Sequence, residues 1–190
     1  MKTSIKIVSQ NRYTILSVLV LVVGAGWIWL TRVQPGSATS GDISAPRPGF
    51  IAPAFKLDSH TGETFSLADL QGKVLLINFW TSWCPPCRAE MPAIQQVFED
   101  YQGDGLVVLG INATNQDDIT AVKSFVHENQ LTFPVLLDLD GEISNQYNLH
   151  SLPTSYFIDQ NGIIQDVVVG GPMAEALLRT RVERMLKGLK

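Results

Sequence analysis

The sequence predicts an α/β fold, a mixed sheet flanked by helices, and three observations carry that expectation. The runs Val74–Phe79 and Leu106–Asn112 are nearly all apolar, as strands buried on both faces are. Each is followed by apolar residues at helical spacing, which makes parallel strand-helix-strand units. Near the end, Asn161-Gly162 joins two apolar segments as an antiparallel hairpin ahead of a last helix. A chain of 190 residues, 45% hydrophobic and 17% charged, suits one packed domain plus an appendage.

The appendage comes first. Residues 1–12 are a short basic flank with Lys2, Lys6 and Arg12. Residues 13–31 carry no charge, and as a helix they span about 28 Å, close to the hydrocarbon thickness of a bilayer. Trp27, Trp29 and Arg32 suit the interface at its far end. The basic leading flank puts the N-terminus in the cytoplasm and the rest of the chain outside it, so the segment reads as a transmembrane signal anchor. The small residues Gly36-Ser37-Ala38 leave a cleaved signal peptide as the alternative, although they lie well past the apolar run. Residues 32–49 are expected to be a flexible linker, because 34–49 (QPGSATSGDISAPRPG) has almost no large apolar side chains to bury.

Residues 50–190 form the domain. Phe55–Phe65 alternates around a Thr-Gly turn as an N-terminal hairpin, and Val74–Phe79 is the central strand. A helix begins at the cysteines and runs to Tyr101, with Ala93, Ile94, Val97 and Phe98 on one side and two prolines where a first turn tolerates them. Leu106–Asn112 is the next strand. Residues 117–129 form a helix with Asp117 or Asp118 at its start, and Pro134–Asp138 is a strand after it. A short helix at GEISNQYN, the hairpin of Thr154–Asp159 with Ile163–Val169, and an amphipathic helix over 173–187 complete the chain.

Five basic residues against Asp42 give residues 1–49 a charge of +4, which leaves −8 of the total −4 to residues 50–190. An acidic domain lacks the basic face that phosphate contacts require, so nucleic acid is excluded as a partner. The two cysteines, Cys84 and Cys87, sit three apart in one motif and cannot hold distant parts of the fold together. With His60, His127 and His150 widely spaced, they offer no four-ligand zinc set, so neither a metal nor a cofactor is expected.

Redox chemistry remains. Cys84 falls at a helix N-terminus, where unpaired N–H groups and the helix dipole favour a thiolate, the form that attacks disulfides. Cys87, one turn on and shielded, is placed to resolve the mixed disulfide.

The stretch Asn78–Pro92, NFWTSWCPPCRAEMP, resembles the thioredoxin superfamily. With the apolar N-terminal segment, the N-terminal hairpin and the central helix-strand insertion of residues 115–138, the chain is similar to the TlpA/ResA group of membrane-anchored thiol-disulfide oxidoreductases. The resemblance implies a thioredoxin-like fold and activity outside the cytoplasm, commonly as a reductase, for example of apocytochrome c cysteines before haem attachment. It implies that Pro153, after Leu152, is the family's cis-proline beside the redox pair, and that Pro92 kinks the active-site helix. It also makes Glu90 a candidate proton acceptor, against the plainer reading of an exposed first-turn glutamate. Asn78 stands where thioredoxin has a buried aspartate and cannot titrate. Trp83, Pro85, Pro86, Leu152 and Pro153 form the expected client-contacting surface, while His150, a loop histidine, is given no role.

The expected partners are protein disulfide clients, a transmembrane thiol electron donor, and the membrane itself through residues 13–31. A disulfide oxidase or isomerase uses the same residues in the other direction and is the main alternative. A thiol peroxidase has Thr81 three residues before Cys84 but lacks the proline expected at Ile77, and a non-catalytic binding module makes the cysteines incidental.

Overall fold

The computed structural model describes residues 15–24, 26–27 and 43–188, which fall into one unit within Met1–Thr39 and another within Ser40–Lys190. In the first, residues 15–24 and 26–27 are helical, and the apolar side chains of Ile15, Leu16 and Val18 through Val23 are all more than half exposed. No helix among the described residues is long and apolar enough to cross a membrane. Tyr13, Thr14, Ala25 and residues 28–31 of the expected anchor lie outside the described residues, as do the basic flank 1–12 and residues 32–42.

The second unit is built on a five-stranded mixed sheet. Its strands are β3 (Val74–Trp80), β4 (Leu106–Asn112), β5 (Val135–Leu137), β6 (Thr154–Ile158) and β7 (Ile164–Val169), in the order β5-β4-β3-β6-β7. β3, β4 and β5 run parallel, and β6 and β7 are antiparallel additions, with a register shift between Phe157 and Ile158. A separate two-stranded hairpin, β1 (Lys56–Asp58) and β2 (Thr64–Ser66), precedes them. The helices are α1 (Pro85–Tyr101), α2 (Ile119–Glu128), α3 (Glu142–Gln146) and α4 (Glu175–Lys187). The central insertion is present as α2 and β5. Ser44 and Ile51 form a bridge, and the Gly49 N–H donates to the Ile164 carbonyl at 2.8 Å, so the described end of the expected linker, residues 43–49, is joined to the domain.

Strand alternation divides the core. From β3, Val74, Leu76 and Trp80 enter the layer under α1, α2 and α4, with Ile94, Val97, Phe125 and Leu178. Leu75, Ile77 and Phe79 enter the other layer, where Tyr147 and Tyr156 stack edge-on at 5.0 Å and Tyr147 Oη donates to the Pro53 carbonyl. β3 is buried at every position, as a central strand with both faces covered must be.

Gly110 in β4 is required by close packing. A Cβ there would meet the Phe133 ring at 2.9 Å and Trp80 Nε1 at 3.3 Å. Gly110→Ala is expected to cost about 1–3 kcal/mol through overpacking, read as a lower urea midpoint at unchanged slope.

Candidate active site

β3 leaves the sheet at Trp80, and the chain turns through Thr81-Ser82-Trp83 into α1. Cys84 is the N-cap of that helix, with Pro85 and Pro86 at its first positions, where their missing N–H groups cost nothing. The helix therefore starts at the cysteines as the sequence predicts. Cys84 and Cys87 are joined as a disulfide with Cα atoms 5.3 Å apart, and the Cys87 N–H donates to Cys84 Sγ at 3.3 Å. α1 continues through Pro92, which has no N–H to give the Arg88 carbonyl.

Both sulfurs are buried but not alike. Cys84 lines a groove of about 430 Å³, whereas Cys87 does not. The groove is bounded by Trp83, Pro85, Pro86 and Gln116 on one side and by Leu149, His150, Ser151 and Leu152 on the other. The Leu152–Pro153 peptide bond is cis. Trp83 is 57% exposed, and its indole N–H donates to the Gln116 carbonyl at 2.9 Å, so the ring is held at the groove's edge. Of the expected client-contacting residues, Trp83, Pro85, Pro86 and Leu152 share this groove. His150, expected to be plain surface, lines it as well. Gln116, Leu149 and Ser151 carry no sequence signal of their own.

Glu90 is 1% exposed, which overturns its reading as an exposed first-turn glutamate. Three residues after Cys87, it points toward the sheet. Its Oε1 accepts from Asn78 Nδ2 at 2.8 Å and its Oε2 accepts from the Met173 N–H at 3.0 Å. Asn78 Nδ2 also donates to Ser155 Oγ at 2.9 Å, while Asn78 Oδ1 is buried without a partner. Burial raises the Glu90 carboxyl above its ordinary value, against the lowering pull of these two donors. The folded chain then binds this proton more tightly than the unfolded chain. Its contribution to stability is full below the ordinary value of 4.5 and is lost as pH rises through the folded value. Glu90→Gln is expected to remove that loss, so urea midpoints recorded across the acid-to-neutral range should converge at low pH and separate in favour of the variant at neutral pH. Parallel pH profiles would contradict it.

The sequence offers Asp117 or Asp118 at the start of α2, and the structure separates the two. Asp118 caps α2, its Oδ1 accepting from the Ala121 N–H, while Asp117 turns away to the loop before the cysteines. Its carboxylate accepts from the Ser82 N–H and Ser82 Oγ, each at 2.6 Å, and from Asn112 Nδ2 at 2.8 Å. Arg88 Nη1 donates to the Ser82 carbonyl, completing the clamp. The only hint was the doubled aspartate, one more than a helix cap needs. Asp117→Ala leaves the Ser82 N–H and hydroxyl without their acceptor and Asn112 Nδ2 with only the Trp80 carbonyl, and is expected to cost about 2–4 kcal/mol, measured by urea unfolding.

Among the described residues, no group of three His, Cys, Asp or Glu side chains is placed to hold a metal ion. Chemically, the arrangement offers a thiol pair able to open and close reversibly. One sulfur faces a groove lined by no Asp, Glu, Lys or Arg, and a buried carboxyl, Glu90, follows the other by three residues on α1.

The AhpC/TSA family model matches residues 48–167. The thiol-disulfide oxidoreductase ResA of Oceanobacillus iheyensis is 33% identical over 192 aligned residues, covering 99% of this chain and 94% of that one. The thioredoxin-like protein YneN of Bacillus subtilis is 44% identical over 64% of this chain and 71% of its own. A crystal structure of a thiol:disulfide interchange protein of the thioredoxin family from Chlorobium tepidum superposes with a TM-score of 0.67 at 32% identity, covering 74% of this chain and 97% of that one.

Proposed function

The chain belongs to the ResA-like thiol-disulfide oxidoreductases of the thioredoxin superfamily, within the AhpC/TSA family, and from that premise we propose that it is a membrane-tethered protein-disulfide reductase working outside the cytoplasm. The observation that carries the reading is the Cys84–Cys87 pair at the N-cap of α1, with Cys84 alone of the two in the groove wall.

In the reduced protein, the Cys84 thiolate attacks one sulfur of a client disulfide and displaces the other as a thiolate, which takes a proton from solvent. The Cys87 thiol gives its proton to Glu90, and the resulting thiolate attacks Cys84 Sγ. The second client sulfur leaves as a thiolate and takes a proton from solvent, and Glu90 releases the proton it took from Cys87, so the client gains two electrons and two protons while Cys84 and Cys87 close to the disulfide. No cofactor enters. Trp83, Pro85, Pro86, Leu152 and Pro153 hold the client strand against the sulfur, and a transmembrane thiol donor returns the two electrons. The clients are exported proteins with disulfides, apocytochrome c among them.

Residues 13–31 are the anchor, with residues 1–12 in the cytoplasm, 32–49 as the tether, its last residues 43–49 held on the domain, and 50–190 as the catalytic domain. The uncharged run of 19 residues and the exposed apolar side chains of helical residues 15–23 support this.

The experiment is capture in living cells with the Cys87→Ser chain. Disulfide-linked adducts should form with exported thiol proteins, apocytochrome c included, and should fractionate with membranes. Adducts restricted to cytoplasmic proteins would contradict the topology, and their absence would contradict the exchange.

A further inference from the structure

The turn from β7 to α4, Gly170–Met173, supplies none of the sulfurs and none of the groove lining, yet it touches two parts of the site. At one end, the Gly170 N–H donates to the Pro153 carbonyl at 2.8 Å. At the other, the Met173 N–H donates to Glu90 Oε2 at 3.0 Å, in a place that is 6% exposed at Met173. Between them, Gly171 passes so close that a Cβ would lie 2.6 Å from Pro153 Cγ and 2.7 Å from Glu90 Oε2. Only a residue without a side chain lets the backbone run between the proline ring and the carboxyl.

We propose that this turn is a positioning element for the exchange reaction, one that sets the proton affinity of Glu90 through the Met173 backbone N–H. The proposal rests on Glu90 being the group that takes the Cys87 proton. A buried carboxylate needs a donor on each oxygen if its charged form is to be reachable. Asn78 Nδ2 serves Oε1 and is shared with Ser155, so Oε2 depends on the turn. The groups facing Glu90 are Asn78 from β3, with Ser155 of β6 behind it, Pro153 and Gly171 from the two loops, and Met173, while Cys87 precedes it by three residues on α1. No ion pair to Glu90 is formed among the described residues. With no cation paired to it, the Met173 and Asn78 donors are what oppose burial, and removing one moves the carboxyl toward its neutral form.

The test is an NMR titration of the full-length reduced chain in detergent, following the Glu90 carboxyl carbon and the Met173 amide. In the unsubstituted chain the Met173 amide should shift with the same midpoint as the Glu90 carboxyl. Met173→Pro, which deletes the N–H, should raise that midpoint by about one to two pH units, and Met173→Leu, which keeps it, should leave the midpoint unchanged. A Met173 amide that stays flat through the Glu90 titration overturns the proposal, whether or not Met173→Pro folds. So does a folded Met173→Pro chain with an unmoved midpoint. Failure of the underlying reading looks different: Glu90→Gln would leave the pH profile of exchange unchanged while the Met173-dependent shift persisted.

Discussion

Cys84→Ser abolishes disulfide exchange, whereas Cys87→Ser stops it halfway, with the client bound through residue 84. The asymmetry follows from placement. Cys84 Sγ lines the groove and accepts the Cys87 N–H at the start of α1, so a client sulfur can reach it and a thiolate there has a donor. Cys87 has no exposed surface, so a client disulfide cannot reach its sulfur. Without Cys84 the exchange rate should fall to that of the uncatalysed thiol reaction. Without Cys87, attack should continue but release should wait for an outside thiol, so the adduct should persist until reductant is added. Mass spectrometry of the adducts reads the attachment residue directly. Capture through residue 87 in the Cys84→Ser chain would reverse the two roles.

Glu90→Gln slows exchange at neutral pH by about 100-fold, the scale of a lost general acid or base. The amide keeps the shape and can still accept from the Met173 N–H, but it cannot take a proton from Cys87. In the unsubstituted chain the rate should rise as Glu90 ionises and becomes able to accept, a step that burial places above the ordinary carboxyl range. The variant should lose that limb of the pH profile while Cys84 still reacts with a small alkylating reagent. An unchanged profile would leave Glu90 a structural group and send the proton of Cys87 to water.

What the sequence made legible is what short-range patterns encode. The unbroken apolar run of β3, the helix beginning at Cys84 and the Asn161-Gly162 hairpin all depend on neighbours within a few residues. The burial of Glu90 does not. Its spacing from Cys87 fixes the helix face but says nothing of what covers that face, and the cover comes from Met173, 83 residues away, and from Asn78 across the layer. The doubled aspartate left two candidates open for a related reason. Either side chain can cap α2, and only the approach of Ser82 from the active-site loop assigns Asp117 to the clamp. Gly170-Gly171-Pro172 reads locally as a turn, and the closeness that makes Gly171 necessary exists only once Pro153 and α1 are packed against it.

Direction of electron flow is the central claim, and the reduction potential of the Cys84–Cys87 couple tests it most directly. The full-length chain in detergent is equilibrated with thiol buffers and its free thiols are counted by alkylation. A reductase should hold its disulfide near thioredoxin's potential, about −270 mV, so that electrons pass from it to exported clients. A value of about −120 to −180 mV, the range of strong oxidants and isomerases, would contradict the assignment and make the protein a donor of disulfides.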